Sequence, residues 1–162
     1  MLAPEIIAKT GWTTQDLLHK MQSVFFLNRY NIITVLIGVN NQYQGLDITI
    51  YEKNLKTILK KAISLAGNQA ASVYMLSVPD WGITPFAEGR NRQQIAFEID
   101  QYNKINRELA DSAGTHYIDI TRFHRENAGD ESLLTNDKLH PSAKEYKRWA
   151  TLVVKAILKQ VQ

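Results

Sequence analysis

The sequence predicts a three-layer α/β/α fold, a parallel sheet with helices on both faces, and three observations predict it. Ile32-Ile33-Thr34-Val35-Leu36-Ile37 is an unbroken, mostly β-branched run closed by Gly38, as expected of a strand buried on both faces of a parallel sheet. Runs of this kind alternate with amphipathic helical patterns, and no linker, repeat or low-complexity stretch interrupts them, so residues 1–162 read as a single domain. Strands separated by helices of this length are joined by right-handed crossovers, which lay the helices on the sheet faces.

The elements follow in order. Glu5-Ile6-Ile7-Ala8 is a short candidate strand. Thr13 and Asp16 resemble a capping box, after which Leu17, Met21, Val24 and Phe25 share one helical face. Beyond the strand at 32–37, a helix from near Asp47 groups Tyr51, Leu55, Ile58, Leu59, Ala62 and Ala66, carries Lys60 and Lys61 near its end, and stops at Gly67. Residues 71–78, stopped by Pro79, form the second strong strand. A helix over roughly 91–113 uses Ile95, Ile99, Tyr102 and Leu109 and ends at Gly114. Residues 116–120 are a weaker strand. Ser142 and Glu145 form a capping box for the last helix, whose stripe is Tyr146, Trp149, Ala150, Val153 and Ile157. The expected order is β-α-β-α-β-α-β-α.

Composition excludes several classes. Of 162 residues, 44% are hydrophobic and 22% charged, so the chain can build a core and is not globally disordered. Nineteen Lys plus Arg against sixteen Asp plus Glu give +3, a mild excess without the clustering of a nucleic-acid binder. With no cysteine there is no disulfide, thiolate metal site or cysteine nucleophile. No apolar run approaches the roughly 18 residues of a membrane span, and Met1-Leu-Ala-Pro-Glu5 lacks the pattern of a signal peptide. As written, the chain is expected to be soluble and cytoplasmic, with secretion open if a leader precedes it.

Sites in such folds lie beyond the carboxyl ends of the strands. Thr10-Gly11-Trp12-Thr13 follows the first candidate strand, Gly38-Val39-Asn40-Asn41 the second, and Asp137-Lys138-Leu139-His140-Pro141 precedes the final helix. Each block alone is weak: a glycine before a helix, an asparagine after a strand, a turn aspartate near a histidine. Together, in order and position, they resemble the SGNH hydrolases, the GDSL esterase and lipase family, over nearly the whole chain.

The resemblance implies a flavodoxin-like sheet and a serine esterase that needs no cofactor and no metal. His140 is then the general base, and Asp137 holds its tautomer and stabilises the imidazolium that forms. Gly11 and Asn40 are the oxyanion donors, one by a backbone N–H and one by a side-chain amide. Where the family has GxND, Asn41 replaces the aspartate, a departure that would change how the loop is braced. Trp12, Asn41 and Trp81 are the expected substrate contacts, and Phe86 is a further candidate pocket wall.

The family's defining Gly-Asp-Ser block is absent from these residues. Ser23, Ser64, Ser112 and Ser142 fall in helices or at their ends, Ser132 in a loop, Ser72 within a strand, and Ser77 lacks a sharp glycine-flanked turn. In the family that block follows a central strand which precedes the equivalent of Glu5-Ile6-Ile7-Ala8. The expectation is therefore an N-terminally truncated hydrolase, missing its first central strand and inactive by itself. The alternative is a non-catalytic α/β binding module or a gene remnant. An in-frame Gly-Asp-Ser-like block roughly 20–50 residues ahead of Met1 would favour the enzyme. The expected partner is a small acyl ester, short-chain or acetyl because no lid segment is evident, with self-association through unpaired strand edges.

His19 is expected at the surface. The spacing of His116, His124 and Glu126 matches no metal-binding pattern, so no metal is expected. Lys53, Lys56, Lys60 and Lys61 make a solvated helix face, and nucleic acid is not expected as a partner.

Overall fold

The computed structural model describes residues 3–27 and 29–160. Among the described residues, nine α-helices and strands run in order: α1 (Thr14–Ser23), β1 (Ile33–Val35), α2 (Val39–Tyr43), α3 (Ile48–Leu65), β2 (Val73–Leu76), α4 (Arg92–Ala113), β3 (His116–Ile118), α5 (Ile120–Arg125) and α6 (Ala143–Leu158). The strands form a parallel sheet in the order β1-β2-β3, with Val35 opposite Met75 and Leu76 opposite Ile118.

The alternation of β2 builds the layers. Val73 and Met75 point to one face and pack with Leu55, Ile58, Leu59 and Ala62 of α3 and Ile95, Ile99 and Tyr102 of α4. Tyr74 and Leu76 point to the other, where they meet Ile118, Ile120 and Trp149 of α6. The sheet therefore lies between two helical layers. Each fully buried Leu or Ile contributes roughly 1.5–3 kcal/mol relative to exposure, so the α3 and α4 stripes anchor the larger core.

Helix ends obey local chemistry. Thr13 and Asp16 make a reciprocal capping box, Asp47 accepts from Thr49 N–H, and Asn91 from Gln94 N–H. Such caps are each worth about 1 kcal/mol. At its far end α4 turns into left-handed Gly114.

Several expectations are corrected. Glu5 to Ala8 make no ladder with any described strand, and Ile6 is 77% exposed, because an isolated extended segment needs an edge to pair with. The ladder of β1 covers only Ile33–Val35. Of its two faces only one is buried: Ile33, Val35 and Ile37 join the α3–α4 core, whereas Ile32, Thr34 and Leu36 face solvent. The helical layer on that second side covers β2 and β3 and stops short of β1. Val24 and Phe25 lie beyond the end of α1, and Phe25 is fully out in solvent.

Two short helices stand where the sequence reads as loop and strand end, α2 over the polar run after Gly38 and α5 over residues 120–125. In α6, Ala150 is exposed, and Leu152 and Ala156 take part in the packing. Its capping box is half formed: Ser142 accepts from Glu145 N–H, but the Glu145 carboxylate turns inward and accepts from Trp149 Nε1–H at 2.7 Å. No helix among the described residues is long and apolar enough to cross a membrane.

Candidate active site

The turn before α6 is built around one carboxylate. Asp137 Oδ1 accepts backbone N–H groups from Leu139 at 3.0 Å and His140 at 2.9 Å, and the Thr135 hydroxyl at 2.6 Å. Its other oxygen lies 2.5 Å from His140 Nδ1. Lys138 takes φ +59°, a left-handed conformation costly for a side chain with a Cβ, and this folds the imidazole back over the carboxylate. The base of the turn is closed by Thr135 N–H donating to His140 O at 2.8 Å and by the bridge between Leu134 and Pro141. The Thr135 hydroxyl, the imidazole and the two backbone donors hold the Asp137 carboxyl far below the usual carboxylate range. Asp137 is thus anionic at any working pH and fixes the proton of His140 on Nδ1. His140 Nε2 has no hydrogen-bond partner among the described residues, and the side chain is half exposed.

The second group of residues lies at the carboxyl end of β1. Gly38 takes φ +126°, and a Cβ there would stand 2.6 Å from Tyr51 Cε2, so only glycine lets the chain turn directly into α2 against that ring. In α2, Asn40 Nδ2 donates to Trp12 O at 3.0 Å, which joins it to the Gly11-Trp12 turn. Gly11 is exposed at φ +84° with open space where a Cβ would stand. Among the described residues its N–H meets no acceptor.

Asn41 faces the opposite way. Only 1% exposed, it accepts from Thr14 N–H at 2.9 Å and donates to Thr14 Oγ1 at 3.0 Å. This places it as the brace between α2 and the first turn of α1, not as a wall of the site. Trp12 is partly exposed and Trp81 is buried.

The two halves meet at an aromatic cluster. Trp81 Nε1–H donates to Gln42 Oε1 at 2.6 Å, and Gln42 in turn donates to Glu98 at 2.7 Å. Tyr43 lies edge-on to Trp81 with centroids 5.2 Å apart, and Phe86 lies edge-on to Trp81 at 6.2 Å. Phe86 N–H donates to Lys138 O at 3.3 Å, within the turn that carries His140. Trp81 and Phe86 therefore bridge the Asn40 side to the His140 side. Sequence reasoning reads Gln42-Tyr43-Gln44-Gly45 as a polar loop beside the substrate and misses Thr135, the helix over Val39–Tyr43 and the bridging role of Gln42; the Thr two residues ahead of Asp137 is the one local signal for the first of these.

Among the described residues no serine hydroxyl is hydrogen-bonded to the His140 ring. Ser77, nearest a strand end, is wholly buried, and its oxygen is engaged by the Ile120 and Thr121 N–H groups and the Thr121 hydroxyl. Ser132 and Ser142 hydroxyls donate to Asp130 and to Ser132 O. His116 bonds Ala71 O and His124 packs against Trp149, and no cluster of three or more metal-ligating side chains occurs among the described residues.

A parallel α/β sheet with an aspartate-held imidazole in the turn before its last helix and a glycine–asparagine pair at a strand end defines a hydrolase-type fold. The sequence model of the GDSL-like Lipase/Acylhydrolase family matches residues 2–148, and the chain belongs to that family. No curated protein matches it. Among solved structures, the lipase/acylhydrolase from Enterococcus faecalis superposes with a TM-score of 0.70 at 20% identity, over 93% of this chain and 72% of that one. Axe2, an acetylxylan esterase from Geobacillus stearothermophilus, gives 0.68 at 18% identity, over 91% of this chain and 68% of that one. The psychrotrophic esterase EstA from Pseudoalteromonas sp., in a structure inhibited by monoethylphosphonate, gives 0.63 at 18% identity, over 93% and 74%. These likenesses establish the shared fold.

Proposed function

We propose that this chain carries the general-base and oxyanion-hole parts of a serine esterase, hydrolysing a small acyl ester through an acyl-enzyme. The observation that supports this reading best is the Asp137–His140 pair, with Nδ1 2.5 Å from the carboxylate and Nε2 left without a partner among the described residues. In the reaction His140 Nε2 takes the proton of a serine hydroxyl as its oxygen attacks the ester carbonyl. Gly11 N–H and the second amide hydrogen of Asn40 hold the oxyanion, a kind of contact worth on the order of 10²–10³ in turnover. His140 then protonates the leaving alcohol, and water, activated by the same imidazole, clears the acyl group. Asp137 keeps the tautomer throughout.

The serine, on this reading, comes from a strand that adds to the open edge of β1. The unpaired outer edge of β1 and the unpaired course of Glu5 to Ala8 support the strand, and the bare face of Ile32, Thr34 and Leu36 supports a helix lying over it. Without that strand, the 162-residue chain is expected to be inert, since loss of the nucleophile costs about 10⁶ in turnover in a serine hydrolase.

The test is labelling with a fluorophosphonate, read by intact mass, on the folded chain, on His140→Ala, and on a version extended at its N-terminus by a strand and helix bearing Gly-Asp-Ser. The expected result is a mass increase only in the extended protein with His140 present. Labelling of the unextended chain, abolished by His140→Ala, would place the nucleophile within these residues and refute the serine clause. An extended, folded protein that never labels would refute the esterase reading.

A further inference from the structure

Arg90 stands apart from the arginines of α4, α5 and α6. Arg107, Arg122, Arg125 and Arg148 each face a carboxylate and Arg92 donates to Thr84 O, whereas the Arg90 side chain makes no ion pair or hydrogen bond among the described residues. It lies instead over three rings, with its guanidinium carbon 5.5 Å from the centroid of Tyr43, 5.5 Å from that of Trp81 and 5.8 Å from that of Phe86. Stacking on aromatic faces restrains a guanidinium and leaves its in-plane N–H donors free, in the fork geometry that matches an oxyanion.

The position of this group gives it meaning. Tyr43 is on α2, three residues after Asn40, and Trp81 is tied to α2 through Gln42. Phe86 N–H is bonded to Lys138 O inside the Asp137–His140 turn. The guanidinium is therefore anchored to both halves of the site, at the rim between them, where the part of an ester beyond its reacting carbonyl must extend. The nearest cation in sequence on the His140 side, Lys138, is already paired with Glu131. With Lys138 engaged by Glu131 and Arg92 by Thr84 O, a single guanidinium on the ring cluster suits a singly charged group better than a phosphate, which calls for more donors.

We propose that Arg90, held on the Tyr43–Trp81–Phe86 cluster, is a specificity residue that binds a carboxylate on the distal part of the substrate. The preferred ester is then a half-ester of a diacid or an ester of a carboxylate-bearing alcohol. The inference rests on the esterase reading and narrows its substrate class.

Binding can be followed on the chain as it exists, by two-dimensional NMR of the arginine Nε–H and tryptophan indole signals. The probes are monomethyl glutarate, its neutral dimethyl ester, and inorganic phosphate, each titrated into the wild type, Arg90→Ala and Arg90→Lys, with the buried Trp149 indole signal reporting an intact fold. The expected result is about tenfold tighter binding of the half-ester than of the diester, the range of one charge-assisted contact. This preference should shrink with salt, disappear in Arg90→Ala and recover only in part in Arg90→Lys. Equal binding of half-ester and diester, or a preference that survives Arg90→Ala, overturns the inference and leaves the esterase reading standing. Tighter binding of phosphate than of the half-ester overturns the carboxylate assignment. Failure of every probe to bind a folded chain overturns the inference and also counts against the esterase reading.

Discussion

Replacing Asn41 with alanine tests the brace that positions the oxyanion side of the site. Asn41 is 1% exposed and Thr14 wholly buried, and the Asn41 carbonyl is the acceptor for Thr14 N–H at 2.9 Å. Thr14 opens α1, so its N–H is one of the donors that a helix cannot satisfy internally. Deleting the amide strands that donor in the interior, at about 1–3 kcal/mol, and removes a second bond to Thr14 Oγ1 worth about 1 kcal/mol net. The hydroxyl keeps Asn54 Nδ2 at 3.3 Å. The sum is about 2–4 kcal/mol, or a fall in Tm of roughly 5–15 °C for a chain of this size.

Asn41→Asp is the informative control. Its carboxylate still accepts from Thr14 N–H, the Thr14 hydroxyl can rotate from acceptor to donor, and the charge sits at the positive end of α1. The expected cost is under about 1 kcal/mol. Thermal and urea unfolding at neutral pH, followed by circular dichroism, measure both. Asn41→Ala melting within about 1 °C of the wild type, or Asn41→Asp as damaging as alanine, would refute the reasoning.

Three further outcomes are expected. Gly38→Ala forces a side chain into φ +126° and against Tyr51, and should lose about 2–4 kcal/mol in the same unfolding assay. His124 is buried, and burial disfavours its charged form more than the nearby Glu145 and Asp80 favour it, while Arg125 and Arg148 add to the effect, so its affinity for a proton is lowered by folding. The unfolded chain therefore binds that proton first, and stability falls as pH drops below about 6.5 with no penalty above it. His124→Phe should flatten the slope of stability between about pH 6.5 and 5. Finally, the bare apolar face of β1 should drive self-association, and Ile32→Lys with Leu36→Lys should shift light-scattering mass toward the monomer; equal masses would count against that face as the contact.

What was legible in the sequence is what local chemistry dictates. Thr13, Asp47, Asn91 and Ser142 start helices because each side chain reaches its own first turn, and Gly114 ends one because only a residue tolerant of positive φ can. The turn from Asp137 to His140 is equally local, since three residues suffice to bring imidazole to carboxylate.

The misreadings have non-local causes. Glu5 to Ala8 carry a strand pattern, yet a strand exists only where its backbone bonds a neighbour, and these residues pair with none of the described strands. The run at 32–37 has the composition of a doubly buried strand, but burial depends on what covers it, and α6 covers β2 and β3 instead. Glu145 has the spacing of a capping residue, and the indole of Trp149 diverts it. Asn41 follows Asn40 in sequence, but α2 turns one toward Trp12 and the other toward Thr14, so tertiary packing alone separates the rim of the site from its brace. By itself the sequence determined the four long helices, their N-cap residues and the Asp–His turn, because their partners lie within a few residues. Only the tertiary structure decided which strands pair, which faces stay bare, and that Arg90 lies over rings drawn from α2 and from the loop after β2.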